Sequence, residues 1–368
     1  MVTTTDLTFR PATEISEEIR RKQLSSREAT QAVLDRIDEV DGKVNAFVTR
    51  MDDEALKAAA AADEATARGE SHGVLHGVPV SIKDLFEVKG VRCTQGSLLH
   101  ENTIAEKDSA SVARLRRAGA IIVGTTNSPE FGMVGWTDNK VAGRTNNPWN
   151  LDRIAGGSSG GAGAAVAAGM APLGLGSDGG GSIRIPSCFC GIFGHKPTWN
   201  LVPKQSGVGG WSTLSHAGPM TRTVADAALM MDAMAGYEPG VAFSFEKPVA
   251  SYGEEIKKPL GKLRVAWSPN MGYGLVDPEV ASLAEAAAKK FSDLGCDVEE
   301  ADPDWAELAG AGSPFVALAG VETYAGMSEV VEQHGDRLMD YTIAFVGAGK
   351  RFNTFDYLSA QHKRVAMW

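Results

Sequence analysis

Two serine clusters set in glycine, and one lysine well upstream of them, are the residues of this 368-residue chain best suited to chemistry. The clusters are Gly156-Gly157-Ser158-Ser159-Gly160-Gly161 and Ser177-Asp178-Gly179-Gly180-Gly181-Ser182-Ile183-Arg184. The lysine stands in Val80-Ser81-Ile82-Lys83-Asp84. A serine hydroxyl is a weak nucleophile until a base takes its proton, and a lysine amine can be that base without any histidine. The chemistry open to such a set is acyl transfer, amide hydrolysis foremost. Only a neutral amine accepts a proton, so the reading requires Lys83 to be buried, where loss of solvation lowers its pKa. On spacing alone, a surface ion pair with Asp84 is the simpler role for this lysine. Three glycines ahead of Ser182 let successive N–H groups turn inward around an oxyanion. The other role for such a run is a flexible linker. Apolar Leu173–Leu175 and Ile183–Ile185 on either side argue against it.

Two rival motifs are weaker. Gly174-Leu-Gly176-Ser-Asp-Gly179 fits the dinucleotide pattern GxGxxG, but no Asp or Glu follows between 179 and 225 to bind a ribose. Gly156-Gly157-Ser158-Ser159-Gly160 fits the nucleophile elbow GxSxG, and His195, His216, His334 and His362 lie downstream. The stretch from Asn146 to Arg153 reads as loop, however, so no strand leads into Ser158. An elbow also leaves the second serine cluster without a role.

Composition narrows the class. Net charge is −10, from 46 acidic and 36 basic residues, which disfavours a nucleic-acid binder. Cys93, Cys188, Cys190 and Cys296 make no CxxC pair, so neither a zinc ribbon nor a dithiol centre is expected; reduced, mostly buried thiols are. No cofactor or metal is called for. The N-terminus has no apolar signal core, and no apolar run reaches bilayer length. A soluble cytoplasmic protein acting on a small molecule is expected, with no nucleic-acid or membrane partner; a homodimer is compatible with that.

The elements that must position the serines follow from periodicity and punctuation. Residues 12–40 read as helical, with Ala29, Val33, Leu34 and Ile37 as an apolar stripe. An Ala-rich helix spans 52–69 and ends at Gly69. Leu75–Ile82 reads as a buried strand with Pro79 at a kink or an edge, and Lys83 at its end. A helix at Ser109–Ala118 precedes a strand at 120–124, which suggests an α/β core. Gly160–Ala171 reads as a smooth helix able to pack closely on a sheet, with Ser158 and Ser159 at its N-terminus. A glycine loop follows Leu173–Leu175. A helix spans Thr221–Ala235, strands Lys262–Trp267 and Cys296–Glu300, and a helix Pro278–Leu294.

Taken together, Gly77-Val-Pro-Val-Ser-Ile-Lys-Asp84, Gly156-Gly-Ser-Ser-Gly-Gly161 and Gly180-Gly-Ser-Ile-Arg184 closely resemble the amidase signature family. Cys190-Gly191, Lys196-Pro197-Thr198 and Gly218-Pro-Met-Thr-Arg-Thr-Val-Ala-Asp226 add to the match, which runs from about residue 12 to at least 235 and loosens after that. The resemblance implies an α/β fold with a central mixed, twisted sheet flanked by helices. It implies one domain: N-terminal helices over about 10–70, a catalytic core over about 71–236, an insertion or linker at 237–260, and a C-terminal α/β part over 261–368. It implies a Ser-cisSer-Lys triad with Ser182 as nucleophile, Ser158 as bridge after a cis peptide, and Lys83 as base. Backbone N–H groups of Gly179, Gly180, Gly181 and Ser182 would line the oxyanion hole, and Ser159, Asp178 and Arg184 would support the loop.

Three departures from the family pattern stand out. His195 replaces an apolar residue; Gly179 replaces a bulkier one, which predicts a wider pocket mouth. The chain stops at Trp368, short of many relatives, so either the form is compact or the sequence is incomplete and lacks the family's final strand. The pocket is expected between Asn127 and Asn139, with Gly132, Met133, Trp136 and Ser158 against substrate. Apolar Met133, Val134 and Trp136 favour an aryl or alkyl amide, with esters or carbamates (urethanes) as further substrates; ordinary core packing is an equal alternative for these three. An aryl acylamidase-like amidase is the leading expectation. The alternatives are the glutaminase subunit of a tRNA-dependent amidotransferase, which would need partner subunits and a charged group for the glutamine carboxylate that the sequence does not reveal, and a non-catalytic scaffold.

Overall fold

The computed structural model describes residues 7–204, 211, 213–305 and 313–367. Its strands are β1 (Phe47–Arg50), β2 (Pro79–Lys83), β3 (Ile121–Thr126), β4 (Asn146–Asn147), β5 (Asn150–Ile154), β6 (Leu173–Asp178), β7 (Phe193–Gly194), β8 (His216–Thr221), β9 (Arg264–Trp267) and β10 (Asp297–Glu300). Its helices are α1 (Ala12–Arg20), α2 (Ser26–Val44), α3 (Asp52–Ala67), α4 (Ala110–Arg117), α5 (Gly160–Ala167), α6 (Arg184–Cys190), α7 (Val224–Met234), α8 (Tyr252–Glu255), α9 (Pro278–Asp293), α10 (Pro314–His334), α11 (Asp340–Gly349) and α12 (Thr354–Ala366).

The chain forms two compact units, residues 1–256 with 323–348, and residues 257–322 with 349–368. The first holds a six-stranded mixed sheet in the order β1-β3-β2-β6-β8-β7. Strand β2 is parallel to both β3 and β6, while β1, β8 and β7 run antiparallel to their neighbours. In the second unit β9 and β10 pair in parallel, with Val298 opposite Val265. No helix among the described residues is long and apolar enough to cross a membrane.

Local chemistry explains most of these elements. The helical stretch expected over 12–40 is two helices. Ser25 breaks it by capping α2: its side chain accepts the Glu28 N–H, and Glu28 reaches back to the Ser25 N–H. The stripe Ala29, Val33, Leu34 and Ile37 is buried as the periodicity predicts. Pro79 is neither a kink nor an edge: it is the first residue of the central strand β2, where its missing N–H is tolerated. Residues 146–154 are not loop, as expected, but a small two-stranded ribbon of β4 and β5. The glycine loop after Leu175 begins later than expected, because β6 continues to Asp178. The first residue of the helix expected at Thr221 belongs to β8, and Thr223 caps α7 by accepting the Asp226 N–H.

The helix α5 carries the packing that matters most. Its residues from Gly160 to Val166 are buried, and the largest side chain among them is valine. A Cβ on Gly161 would lie 2.3 Å from the Asn127 nitrogen and 2.5 Å from the Ala46 oxygen, both backbone atoms. The helix therefore sits at a distance no other residue permits. Arg222 fixes its far end by donating to the carbonyls of Val166 and Ala171 on one side and of Thr8 and Arg10 on the other.

Overpacking of this kind costs about 1–3 kcal/mol. Gly161→Ala is expected to lower unfolding free energy by about 2 kcal/mol or more in urea titrations, at the upper part of that range because backbone must yield. A loss below about 0.5 kcal/mol would mean that the helix can shift freely.

Candidate active site

Lys83 ends β2 in the middle of the sheet, and its side chain is fully buried. Its Nζ lies 2.6 Å from Ser158 Oγ, 3.0 Å from Ser159 Oγ and 3.1 Å from Ser177 Oγ. The ion pair with Asp84 does not form. The Asp84 carboxylate turns away, accepting from the Thr94 N–H at 3.2 Å and from the Thr94 hydroxyl. Burial raises Asp84 to about 7, against the pull of the Thr94 bonds. Burial also holds Lys83 well below its ordinary 10.5; the charge of Lys204 adds to this and that of Asp178 opposes it.

The two serines beside Lys83 come from the turn into α5. The peptide bond between Gly157 and Ser158 is cis. Gly157 has the backbone of Trp136 against it, with a Cβ position 2.6 Å from the Trp136 nitrogen. Ser159 stands at the N-cap position of α5 but does not cap it. Its hydroxyl instead receives the Ser177 N–H at 3.2 Å and reaches the Ser177 carbonyl at 3.2 Å. That hydroxyl therefore ties the start of α5 to the end of β6. Ser177 was not singled out in the sequence; its place next to Asp178 at a strand end is the only signal.

Asp178 organises the second serine cluster. It is fully buried and accepts from the N–H groups of Gly181 at 2.8 Å and Ile183 at 3.1 Å, and from Arg184 Nε at 3.0 Å and Nη2 at 2.9 Å. Burial works to raise its pKa, but the Arg184 fork and the Gly181 and Ile183 N–H groups overcome it and hold the carboxyl at about 2. The Gly181 N–H is taken by this carboxylate, so it is withdrawn from the four oxyanion donors expected. Gly179, Gly180 and Ser182 keep theirs without a partner among the described residues. Ser182 is half-buried ahead of α6, and its carbonyl accepts the Ser159 N–H at 3.1 Å.

Ser158, Ser177, Ser182 and Gly179 line one cavity of about 670 Å³, its open mouth included. Lys83 contributes no surface to it and lies behind Ser158. Leu85, Phe131, Gly132, Met133 and Trp211 form apolar walls. Gly132 comes close because a Cβ there would be 2.7 Å from the Leu85 side chain and 3.2 Å from Ser158 Oγ. Trp136 is not a lining residue: it is 43% exposed and its ring packs edge-on against Tyr341 at 5.8 Å. The wider mouth expected from Gly179 does not occur, because the Trp211 indole fills the space, 2.4 Å from where a Cβ would be. No histidine lines the cavity among the described residues.

The wall formed by 131–133 is held by buried polar groups. Glu130 accepts from the Ser97 hydroxyl at 2.7 Å, the Thr342 hydroxyl at 2.6 Å and the Met339 N–H at 2.8 Å. Asn139 donates to Asn127 and to the Ser128 carbonyl, both at 2.7 Å. Asn127 and Asn139 therefore anchor the segment rather than line it.

Known proteins agree with this geometry. A profile of the family described as Amidase matches residues 28–345. An acylamidase of Rhodococcus erythropolis is 40% identical over 367 residues, covering 100% of this chain and 77% of that protein. A glutamyl-tRNA(Gln) amidotransferase subunit of Moorella thermoacetica is 42% identical over 328 residues, covering 88% of this chain and 67% of that one. A bacterial aryl acylamidase of the amidase signature family superposes with a TM-score of 0.87 at 32% identity, over 97% of this chain and 76% of that one. The chain belongs to the amidase signature family, and it is a hydrolase of amide carbon–nitrogen bonds.

The folded pKa of Asp178, about 2, lies below the ordinary 3.8, so its interactions add stability that is present above pH about 4 and lost as pH falls through about 2. Asp178→Asn should cost roughly 2 kcal/mol at pH 7, and the gap to the parent should close in denaturation titrations between pH about 4 and 2. A gap that persists at pH 2 would show that the carboxylate's charge is not what holds the loop.

Proposed function

We propose that the protein hydrolyses aryl or alkyl amides, with esters and carbamates as secondary substrates, through an acyl-enzyme on Ser182. The observation that carries this is a fully buried lysine whose polar partners are three serine hydroxyls, one of them on the cavity that also exposes Ser182. A neutral amine donates two hydrogens and accepts one. Donation to Ser159 and Ser177 with acceptance from Ser158 fits that state without a charge.

In the acylation half, Lys83 Nζ takes the proton of Ser158, and Ser158 Oγ takes that of Ser182. The Ser182 oxygen bonds to the amide carbon, and the carbonyl oxygen becomes an oxyanion facing the N–H groups of Gly179, Gly180 and Ser182. One such donor is worth about 3–4 kcal/mol. The proton returns through Ser158 to the nitrogen, the carbon–nitrogen bond breaks, and the amine leaves. Water then adds by the same relay, releasing the carboxylic acid. Arg184, Asp178 and Ser159 act as positioning residues. The apolar walls from Leu85, Phe131, Met133 and Trp211 support an aryl or alkyl group over a small polar one. Three buried free cysteines fit a reducing compartment, and the cytoplasm is the proposed location.

The second reading is the glutaminase subunit of a tRNA-dependent amidotransferase, favoured by the 42% identity to one subunit of such an enzyme. Assays of an anilide, an aryl carbamate and glutamine separate the readings. The anilide should turn over with the chain alone, and Ser182→Ala should lose about 10⁴-fold or more in kcat. Glutamine turnover only with added partner subunits would favour the second reading. Failure of all three substrates, with no fluorophosphonate adduct on Ser182, would leave a non-catalytic scaffold.

The pH profile gives a separate test. The base works unprotonated, so kcat/KM should rise with pH through the Lys83 pKa and then level. That limb should lie well below 10.5, because burial depresses the amine. Lys83→Ala should remove the limb and cost about 10²–10⁴-fold. A rising limb unchanged by that substitution would assign the base elsewhere.

A further inference from the structure

Lys204 is the one charged side chain lining the cavity among the described residues, and the hydrolytic steps give it no task. It follows Pro203 after a run of loop, and nothing in the sequence marks it. Its Nζ donates to the Ser215 hydroxyl and lies 6.0 Å from the centre of the Phe86 ring. No Asp or Glu lines the cavity among the described residues, and no described carboxylate pairs with Lys204. Asp178, at the cavity's edge, has its oxygens filled by Gly181, Ile183 and Arg184. Burial lowers Lys204 only to about 8, so its ammonium form predominates near neutral pH.

We propose that Lys204 and Ser215 form an anion-accepting subsite in the cavity, and that the preferred substrates are amides carrying a carboxylate besides the scissile bond. This rests on the reading that Ser182 is the nucleophile. An ammonium has three donors. Ser215 takes one, and the others face a cavity with no acidic group. An ammonium held against apolar walls keeps part of its desolvation penalty until an anion arrives, and a carboxylate is the charge-assisted acceptor of matching size. The ring of Phe86 and the walls at Leu85 and Met133 would take the apolar body of the same molecule.

Two substrate pairs test this. Succinanilate against butyranilide places the carboxylate on the acyl side, and 4-acetamidobenzoate against acetanilide places it on the amine side. The charge of Lys204 also helps to keep Lys83 neutral, so each enzyme is compared on its own pH plateau. The wild type should favour the acidic member of one pair at least tenfold in kcat/KM, a gap of about 1.4 kcal/mol. Lys204→Met should bring that ratio near one by raising KM for the acidic amide alone, and Lys204→Arg should retain part of it. Turnover of the neutral amides with no preference in either pair overturns this proposal and leaves the amidase reading standing. Equal losses on both members in Lys204→Met also overturn it, since that marks a structural role. Turnover of none of the four, with Ser182 unlabelled by fluorophosphonate, sinks both. If Lys204→Met fails to fold, the wild-type ratio decides.

Discussion

A lysine held in the dry centre of a sheet, with hydroxyls and no carboxylate for company, is the constraint on which the rest of this molecule depends. Burial penalises the ammonium. Two carboxylates could have neutralised it, and both are otherwise engaged. Asp84, next in the chain, accepts from Thr94. Asp178, at the end of the strand β6, is clasped by Arg184 and backbone N–H groups. Each serves a turn of chain rather than the amine. The protein thus keeps a titratable base uncharged by arranging where its acids point.

Bringing three hydroxyls to that amine requires backbones to approach more closely than side chains normally allow. Ser177 arrives on a strand next to β2, while Ser158 and Ser159 arrive at the head of a helix made of glycine and alanine. Ser159 does not cap that helix, and the hydrogen bond it withholds is used to join the helix to the strand. Cap propensity yields here to the needs of the site. The opposing wall is fixed by Glu130, whose buried carboxylate joins 97, 339 and 342.

Acylamidases and amidotransferase glutaminase subunits share about four residues in ten with this chain. Common ancestry at that level preserves the catalytic frame and says little about the substrate. What distinguishes one member from another lies in cavity walls contributed by loops, such as Phe131 to Met133 and Trp211. A residue such as Lys204, reached only by the return of the chain, changes the sign of a pocket without touching the frame.

The sequence by itself determined the grouping of Lys83, Ser158 and Ser182, because glycine-flanked serines and a lysine at a strand end are local signals. It also determined α2, α3, α4 and α9, whose apolar periodicity and caps lie within one window of chain. It could not show that 146–154 pairs as a ribbon, that Pro79 opens a central strand, or that Trp136 turns outward onto Tyr341. Those outcomes depend on partners distant in sequence, which local pattern does not encode. The loss of Gly181 as a donor and the filling of the Gly179 space by Trp211 have the same origin. Tertiary structure alone decided which N–H groups stay free, which walls close, and which lysine keeps its charge, since each follows from how completely water is excluded at one point.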